Sequence, residues 1–358
     1  MLSATNRAMR IILPAALLAL VTIGASAEPL PRFPPGAIWN QDVSAQNLKA
    51  ASSDEMIAWL QSHGGWGTGS TAFQIDFSMA VMHADASAPT VANIGFPYDE
   101  YYSPDCDDPG AVPFPLPPGG AIEGSNDYSC DNEGEDCHLF VVQGQALYEA
   151  YRANVVSAGL QTQCAVRWDL TRIYPANGRG EQCTSVDAAG FPVAPLLFNA
   201  DEVYAAIQSG GDIGHAIRFI LPNARMKANE YVHPASHAGG PSNTDQYAIP
   251  YGSRFRLKAS FDIDAFSSNA AVRALLRGLK KYGMFLADGG NLPLTGEVDT
   301  YTTHKWDELS IDSHSLYGVQ ASDFEVVAAD APIPLTYDCA RNPDAPPPDP
   351  LFGDGFDR

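Results

Sequence analysis

Apolar and polar residues alternate with period two over several short stretches of this chain, each broken off by Gly or Pro. Phe73, Ile75, Phe77, Met79 and Val81 follow that period, which predicts a half-buried strand. Residues 138–142 and 146–153 flank a Gln-Gly-Gln turn and read as a hairpin, with further strands expected over 165–172, 215–221 and 254–263. In the last of these Phe255, Leu257, Ala259, Phe261 and Ile263 share one face, leaving Arg254, Arg256 and Lys258 on the other. Helical spacing is rarer. It predicts helices over 52–62, where Ser52 and Glu55 have capping-box spacing, over 201–208, and from Ser267 or Ser268 to about Tyr282, closed by Gly283. Many strands and few helices predict a mainly β fold, a β-sandwich or jelly roll with a few peripheral helices.

One segment lacks any period. Residues 104–137 carry six Pro, three Cys and many acids, and read as a long surface loop. At the N-terminus Arg7 and Arg10 precede an apolar run and then Ala25-Ser26-Ala27, the pattern of a cleaved signal peptide over 1–27 that is too short to span a membrane. A single domain is expected over 28–340, followed over 341–358 by a Pro-rich linker and the tail LFGDGFDR. That tail is similar to short FADGFE-like ends of secreted bacterial proteins, which implies sorting or surface retention.

Export makes disulfides the default for Cys106, Cys130, Cys137, Cys164, Cys183 and Cys339. Proximity favours Cys130–Cys137 and Cys164–Cys183, which leaves Cys106–Cys339. The formal net charge of −21 argues against nucleic acid or an anionic membrane as partner. Charge is also uneven: residues 50–151 hold 16 acids and no Lys or Arg, whereas 218–281 hold ten bases against four acids. Such a dipole either holds the two segments together or marks a cationic surface for an anionic ligand.

Chemistry-bearing side chains concentrate in GHAIRFILPNARMKANEYVHPASHAGG, followed by RFRLKASFDIDAF and LLRGLKKYGMFLADGGN. These segments, together with WDL at Trp168 and SVDAAGFPVAP at Ser185, resemble a family of secreted bacterial proteins. The resemblance covers roughly 140–325. It implies a domain boundary and a set of candidate residues, without an assigned activity.

Taken by their chemistry, His233 and His237 beside Tyr231 are candidate acid–base groups. Arg218 and the stripe Arg254, Arg256 and Lys258 would neutralise the carboxylate of an anionic sugar, the logic of lyase-type elimination. The same stripe would equally keep an exposed strand edge soluble. His215 lies opposite Arg218 and reads as a core histidine or a further candidate. Hydrolysis instead needs two carboxyls about 5–5.5 Å or about 6.5–9.5 Å apart, for which Asp169, Asp187, Asp262, Asp264 and Asp288 are available. Trp168, Tyr231 and Tyr251 are candidate sugar-stacking rings. His233-Pro-Ala-Ser-His237 lacks the glutamate of a zinc helix, no phosphate-binding or nucleophile-elbow motif occurs, and the only cofactor left open is a structural calcium. The sequence thus predicts a secreted protein that binds an extracellular polysaccharide and cleaves it by elimination or hydrolysis. The alternative is a non-catalytic carbohydrate-binding or surface-retained protein.

Overall fold

The alternating segments become strands, and how those strands pair decides what is buried. A computed structural model describes residues 29–67, 72–97, 100–111, 113–130 and 136–342. The expected leader, the C-terminal tail and part of the 104–137 segment lie outside the described residues. Among those described, nineteen mostly short strands in several sheets outnumber the helices, so the fold is mainly β. No helix among them is long and apolar enough to cross a membrane.

The largest sheet is mixed and six-stranded, in the order Ile75–Met79, Leu294–Glu297, Ile217–Leu221, Met284–Gly289, Arg254–Leu257 and Phe324–Val326. Its two middle strands, Ile217–Leu221 and Met284–Gly289, run parallel. The second strand is entered from the helix Ala270–Lys281, which buries Val272, Leu275, Leu276 and Leu279. Asn269 caps that helix by accepting from the backbone of Ala271 at 2.7 Å. The expected Ser267 instead accepts from the backbone of Asn269, just beyond the four-residue helix Ile263–Phe266. Gly283 follows at φ +71, where a Cβ would stand 2.2 Å from the carbonyl of Phe255, so only glycine fits this close approach.

A four-stranded sheet, ordered Val81–His83, Leu139–Gln143, Ala146–Tyr151 and Cys164–Asp169, is joined to the first sheet through Ala80. One of its faces contributes Phe140, Val142, Leu147, Val166 and Trp168 to the core that also takes Ile217, Phe219, Phe255 and Leu286 from the large sheet. Its other face, with Leu139, Val141 and Tyr148, forms a second core with Phe114, Leu116 and Ile122. Those three come from the Pro-rich segment, which therefore covers a sheet face; the expected free surface loop is corrected by its own buried apolar residues.

Two further expectations are corrected. The strand expected over 254–263 ends at Leu257, and Arg254 and Arg256 are buried at 6 % and 1 % exposure. The strand lies inside the sheet between two antiparallel neighbours, so its second face meets the N-terminal segment and not solvent. Arg254 donates to the carbonyls of Gln41 and Tyr282 at 2.7 and 2.8 Å, and Arg256 to Ala45 O at 2.6 Å and to Glu325 at 2.8 Å. The disulfides are Cys130–Cys137 as expected, but Cys106–Cys164 and Cys183–Cys339 in place of the other two pairs. Sheet pairing overrides proximity in the chain: Gly180–Glu181 pairs with Ala340–Arg341, bringing Cys183 to Cys339, while Asp107 donates its backbone N–H to Ala165 O at 2.9 Å beside Cys106 and Cys164.

Candidate active site

Arg218 stands on the central strand, where a bare guanidinium would be costly to bury, and only 4 % of its side chain is exposed. Its charge is met by Asp187, which is 0 % exposed and accepts at Oδ2 from Arg218 Nε at 3.1 Å and Nη2 at 2.8 Å. Arg218 Nη1 donates to Thr295 Oγ1 at 3.1 Å. Thr295 is the register partner of Asp76 on the edge strand, so a polar row, Asp76, Thr295, Arg218, crosses the sheet. Burial works against the guanidinium charge, and Asp187 and Asp288 more than restore it. Burial pushes the Asp187 carboxyl up to about 7, against the pull of Arg218.

Asp288 closes the row at the C-terminal end of its strand. The strand register against Ile217–Leu221 shifts there, pairing Phe219 with Leu286 and Ile220 with Asp288, which leaves Ala287 as a bulge. Bulges of this kind re-aim side chains beside functional sites. Asp288 Oδ1 accepts from its neighbour Gly289 N at 2.7 Å, and Oδ2 from Ala188 N at 3.3 Å, 3.9 Å from Arg218 Nη2. Unlike Asp187 it is 34 % exposed. Burial raises its pKa, opposed by Arg218.

The turn that carries Asp187 is held from two sides. Ala189 N donates to Ala287 O at 2.9 Å, and Ser185 Oγ accepts from Asp187 N at 3.1 Å. From the small sheet, His138 reaches Val186 O with Nε2 at 3.3 Å and Glu123 Oε2 with Nδ1 at 2.6 Å. Both partners can accept, so a protonated ring would donate to each of them. Burial opposes that charge, but Glu123 raises the His138 pKa overall. Glu123 is correspondingly lowered by His138 despite its own burial. Glu123 Oε1 lies 2.9 Å from Ser78 Oγ, which lies 3.0 Å from Asp76 Oδ2.

The residues singled out in the sequence are dispersed. His215 is buried, with Nδ1 bonded to Ala216 O at 2.7 Å and Nε2 2.7 Å from an Arg32 guanidinium nitrogen that also holds Glu202; it belongs to a brace for the N-terminal segment. Tyr231 donates to Glu181, whose other oxygen is 3.1 Å from His233 Nε2, in a cluster beside the Cys183–Cys339 bridge. His237 takes a separate position, where its Nδ1 donates to Ala188 O at 3.0 Å on the Asp187 turn. Asp169 caps its own turn through Thr171, and buried Trp168 donates to Glu149 at 2.8 Å, so its ring is a core ring and not a sugar platform. Lys258 is half-buried and donates to Ser322 O. Of the first-named candidates only Arg218 enters the cluster, with His237 at its rim. Asp187 and Asp288 enter from the wider carboxyl set.

Asp76, Ser78, Glu123 and His138 carried no signal. The last two lie in or beside the aperiodic segment, and no local spacing links residues that meet across two sheets. Among the described residues no group of three or more His, Cys, Asp or Glu is arranged to hold a metal ion. Comparison of the chain with known protein families, curated proteins and solved structures finds no match.

Proposed function

We propose that the protein is a secreted enzyme that hydrolyses glycosidic bonds of an extracellular polysaccharide, with Asp288 as its exposed catalytic carboxyl. The observation that carries the reading is Asp288: a partly exposed carboxyl, raised by burial, set beside a buried Arg218–Asp187 pair whose backbone turn it also grips. Perturbed titratable groups gathered around one exposed carboxyl are what acid–base catalysis needs. Asp76, half-buried on the other flank of Arg218, is raised by burial as well. The reading takes the two larger sheets as the halves of a sandwich around their shared core.

Elimination is the weaker reading. It asks for a free cation to neutralise a uronate, whereas Arg218 is already paired with Asp187 and Arg254 and Arg256 are buried against carbonyls and Glu325. A leader pattern and three disulfides support secretion. The test is incubation of the chain from Glu28 onward with neutral and uronate polysaccharides, following reducing ends and the ultraviolet absorbance of unsaturated ends. Reducing ends alone are expected, and Asp288→Asn should lower their release by about 10²–10⁴-fold with an unchanged melting temperature. Unsaturated ends would establish elimination instead. Binding without either product would establish the non-catalytic alternative.

A further inference from the structure

Two turns meet beside Asp288, and small residues keep their junction low. Ala188 donates its N–H to Asp288 Oδ2 at 3.3 Å and accepts at its carbonyl from His237 Nδ1 at 3.0 Å. A Cβ on Gly239 would stand 2.8 Å from Ala188 Cβ and 3.4 Å from the Tyr251 hydroxyl, so Ala188 and Gly239 form a floor that ends at that hydroxyl. Asp288, Ala188, His237 and Gly239 are all half-buried along it. Ser236 locks the two turns together, donating its N–H to Ala189 O at 2.9 Å and its hydroxyl to Cys183 O at 2.7 Å. Beyond His237 stands Tyr337, 66 % exposed, whose ring lies 5.6 Å from the imidazole and at 68° to it.

Two polar groups at this floor have no partner among the described residues. Tyr251 is 1 % exposed, which rules its ring out as a platform, yet its hydroxyl makes no hydrogen bond there. A buried hydroxyl left in that state is costly unless an arriving group satisfies it. Burial and the Asp288 and Asp187 charges keep it a neutral phenol, able to donate. His237 commits Nδ1 to Ala188, and burial lowers its pKa, so at neutral pH its Nε2 is an acceptor. A donor and an acceptor on one floor match sugar hydroxyls, each of which both gives and takes a hydrogen. The surrounding charge disfavours an acidic ring: Asp288 and Asp105 act on His237, Asp338 is exposed beside Tyr337, and Arg218 is held by Asp187.

We propose that a sugar unit of a neutral polysaccharide binds on this floor, stacked on the Tyr337 ring, with the Tyr251 hydroxyl donating to one of its oxygens and His237 Nε2 accepting from one of its hydroxyls. An exposed tyrosine ring offers the broad apolar face that the C–H side of a pyranose covers. The place of this sugar beside Asp288 rests on the hydrolase reading, whereas its binding stands without it. Tyr251, His237 and Tyr337 are then substrate-binding residues, and the acids around them set the preference against uronates.

The experiment is titration calorimetry of the chain from Glu28 onward, and of its Asp288→Asn form, with hexamers of cellulose, xylan, mannan and amylose and with hexagalacturonate. At least one neutral hexamer is expected to bind, and more tightly than hexagalacturonate. Tyr337→Ala should weaken that binding about tenfold. Tyr251→Phe, which removes only the hydroxyl, should weaken it about fivefold with an unchanged melting temperature, because no protein partner is lost; a hydroxyl serving the fold would lower the melting temperature and leave Kd alone. Binding untouched by both variants, tighter binding of hexagalacturonate, or no binding of any neutral hexamer overturns the proposal. If Asp288→Asn stops reducing-end release while Tyr337→Ala and Tyr251→Phe change neither Kd nor KM, the sugar site fails and the hydrolase reading stands. If both variants weaken binding but no hexamer is cleaved, the hydrolase reading fails and the sugar site stands.

Discussion

Breaking the Arg218–Asp187 pair from each side in turn tests the central electrostatic argument. Both side chains are almost wholly buried and share two hydrogen bonds at 3.1 and 2.8 Å, so removing one partner strands the other. The general cost of stranding a buried charge is about 3–5 kcal/mol. Asp187→Asn should fall near the lower bound, about 3 kcal/mol, because Asp288 at 3.9 Å remains to face the guanidinium. Arg218→Met behaves differently, because Asp187 is already pushed up to about 7 by burial and rises further once Arg218 is gone. Its carboxyl then sheds its charge by taking a proton, which is easier at low pH, so the deficit of this variant grows from pH 6 to pH 8. The double variant removes both charges and should lose at least about 1.5 kcal/mol less than the two single losses combined. Urea unfolding of the four proteins at both pH values measures each quantity. Additivity to within about 0.5 kcal/mol, or an Arg218→Met deficit that shrinks as pH rises, would refute the coupling.

Other outcomes follow from groups further from the site. Burial pushes Glu149 and Glu297 up to about 7 as it does Asp187, and His138 is raised by Glu123. Each binds its proton more tightly folded than unfolded, so its contribution is full below the unfolded value and lost as pH rises to the folded one; with three carboxyls raised from 3.8 or 4.5 to about 7, the melting temperature should fall between about pH 4.5 and 7. A flat profile there would contradict these assignments. Non-reducing peptide mapping should recover Cys106–Cys164 and Cys183–Cys339 linkages. Replacing both Cys183 and Cys339 by Ser should cost about 2–5 kcal/mol in chemical unfolding, since that bridge closes the longest loop. His233→Ala and Tyr231→Phe should leave reducing-end release unchanged, because that pair is engaged with Glu181; a large loss in either would return the site to the 231–237 loop.

Local periodicity carried the elements whose partners are near in sequence. The hairpin around Gln143-Gly144-Gln145, the helix Ser53–Ser62 and the amphipathic helix Ala270–Lys281 were legible because side-chain period alone decides which face is buried. Arg254 and Arg256 were misjudged for the same reason in reverse. Alternation places them opposite Phe255 and Leu257, but whether that second face meets water depends on strands and an N-terminal segment distant in the chain.

The candidate site divides in the same way. Side-chain chemistry already named Arg218 as a cation for an anionic sugar and Asp187 and Asp288 among the available carboxyls. Which partners they take is a matter of register and bulge: the shift at Ala287 aims Asp288, and Thr295, hydrogen-bonded to Arg218, is the register partner of Asp76. Sequence by itself determined the mainly β character, the six cysteines, the helix faces and the acidic balance, all properties of short stretches or of the whole composition. Tertiary structure alone decided the disulfide partners, the burial of the basic stripe and the meeting of Asp76, Ser78, Glu123, His138, Asp187, Arg218 and Asp288. Long-range strand pairing sets those distances, and it depends on the shared packing of many residues, which no local pattern encodes.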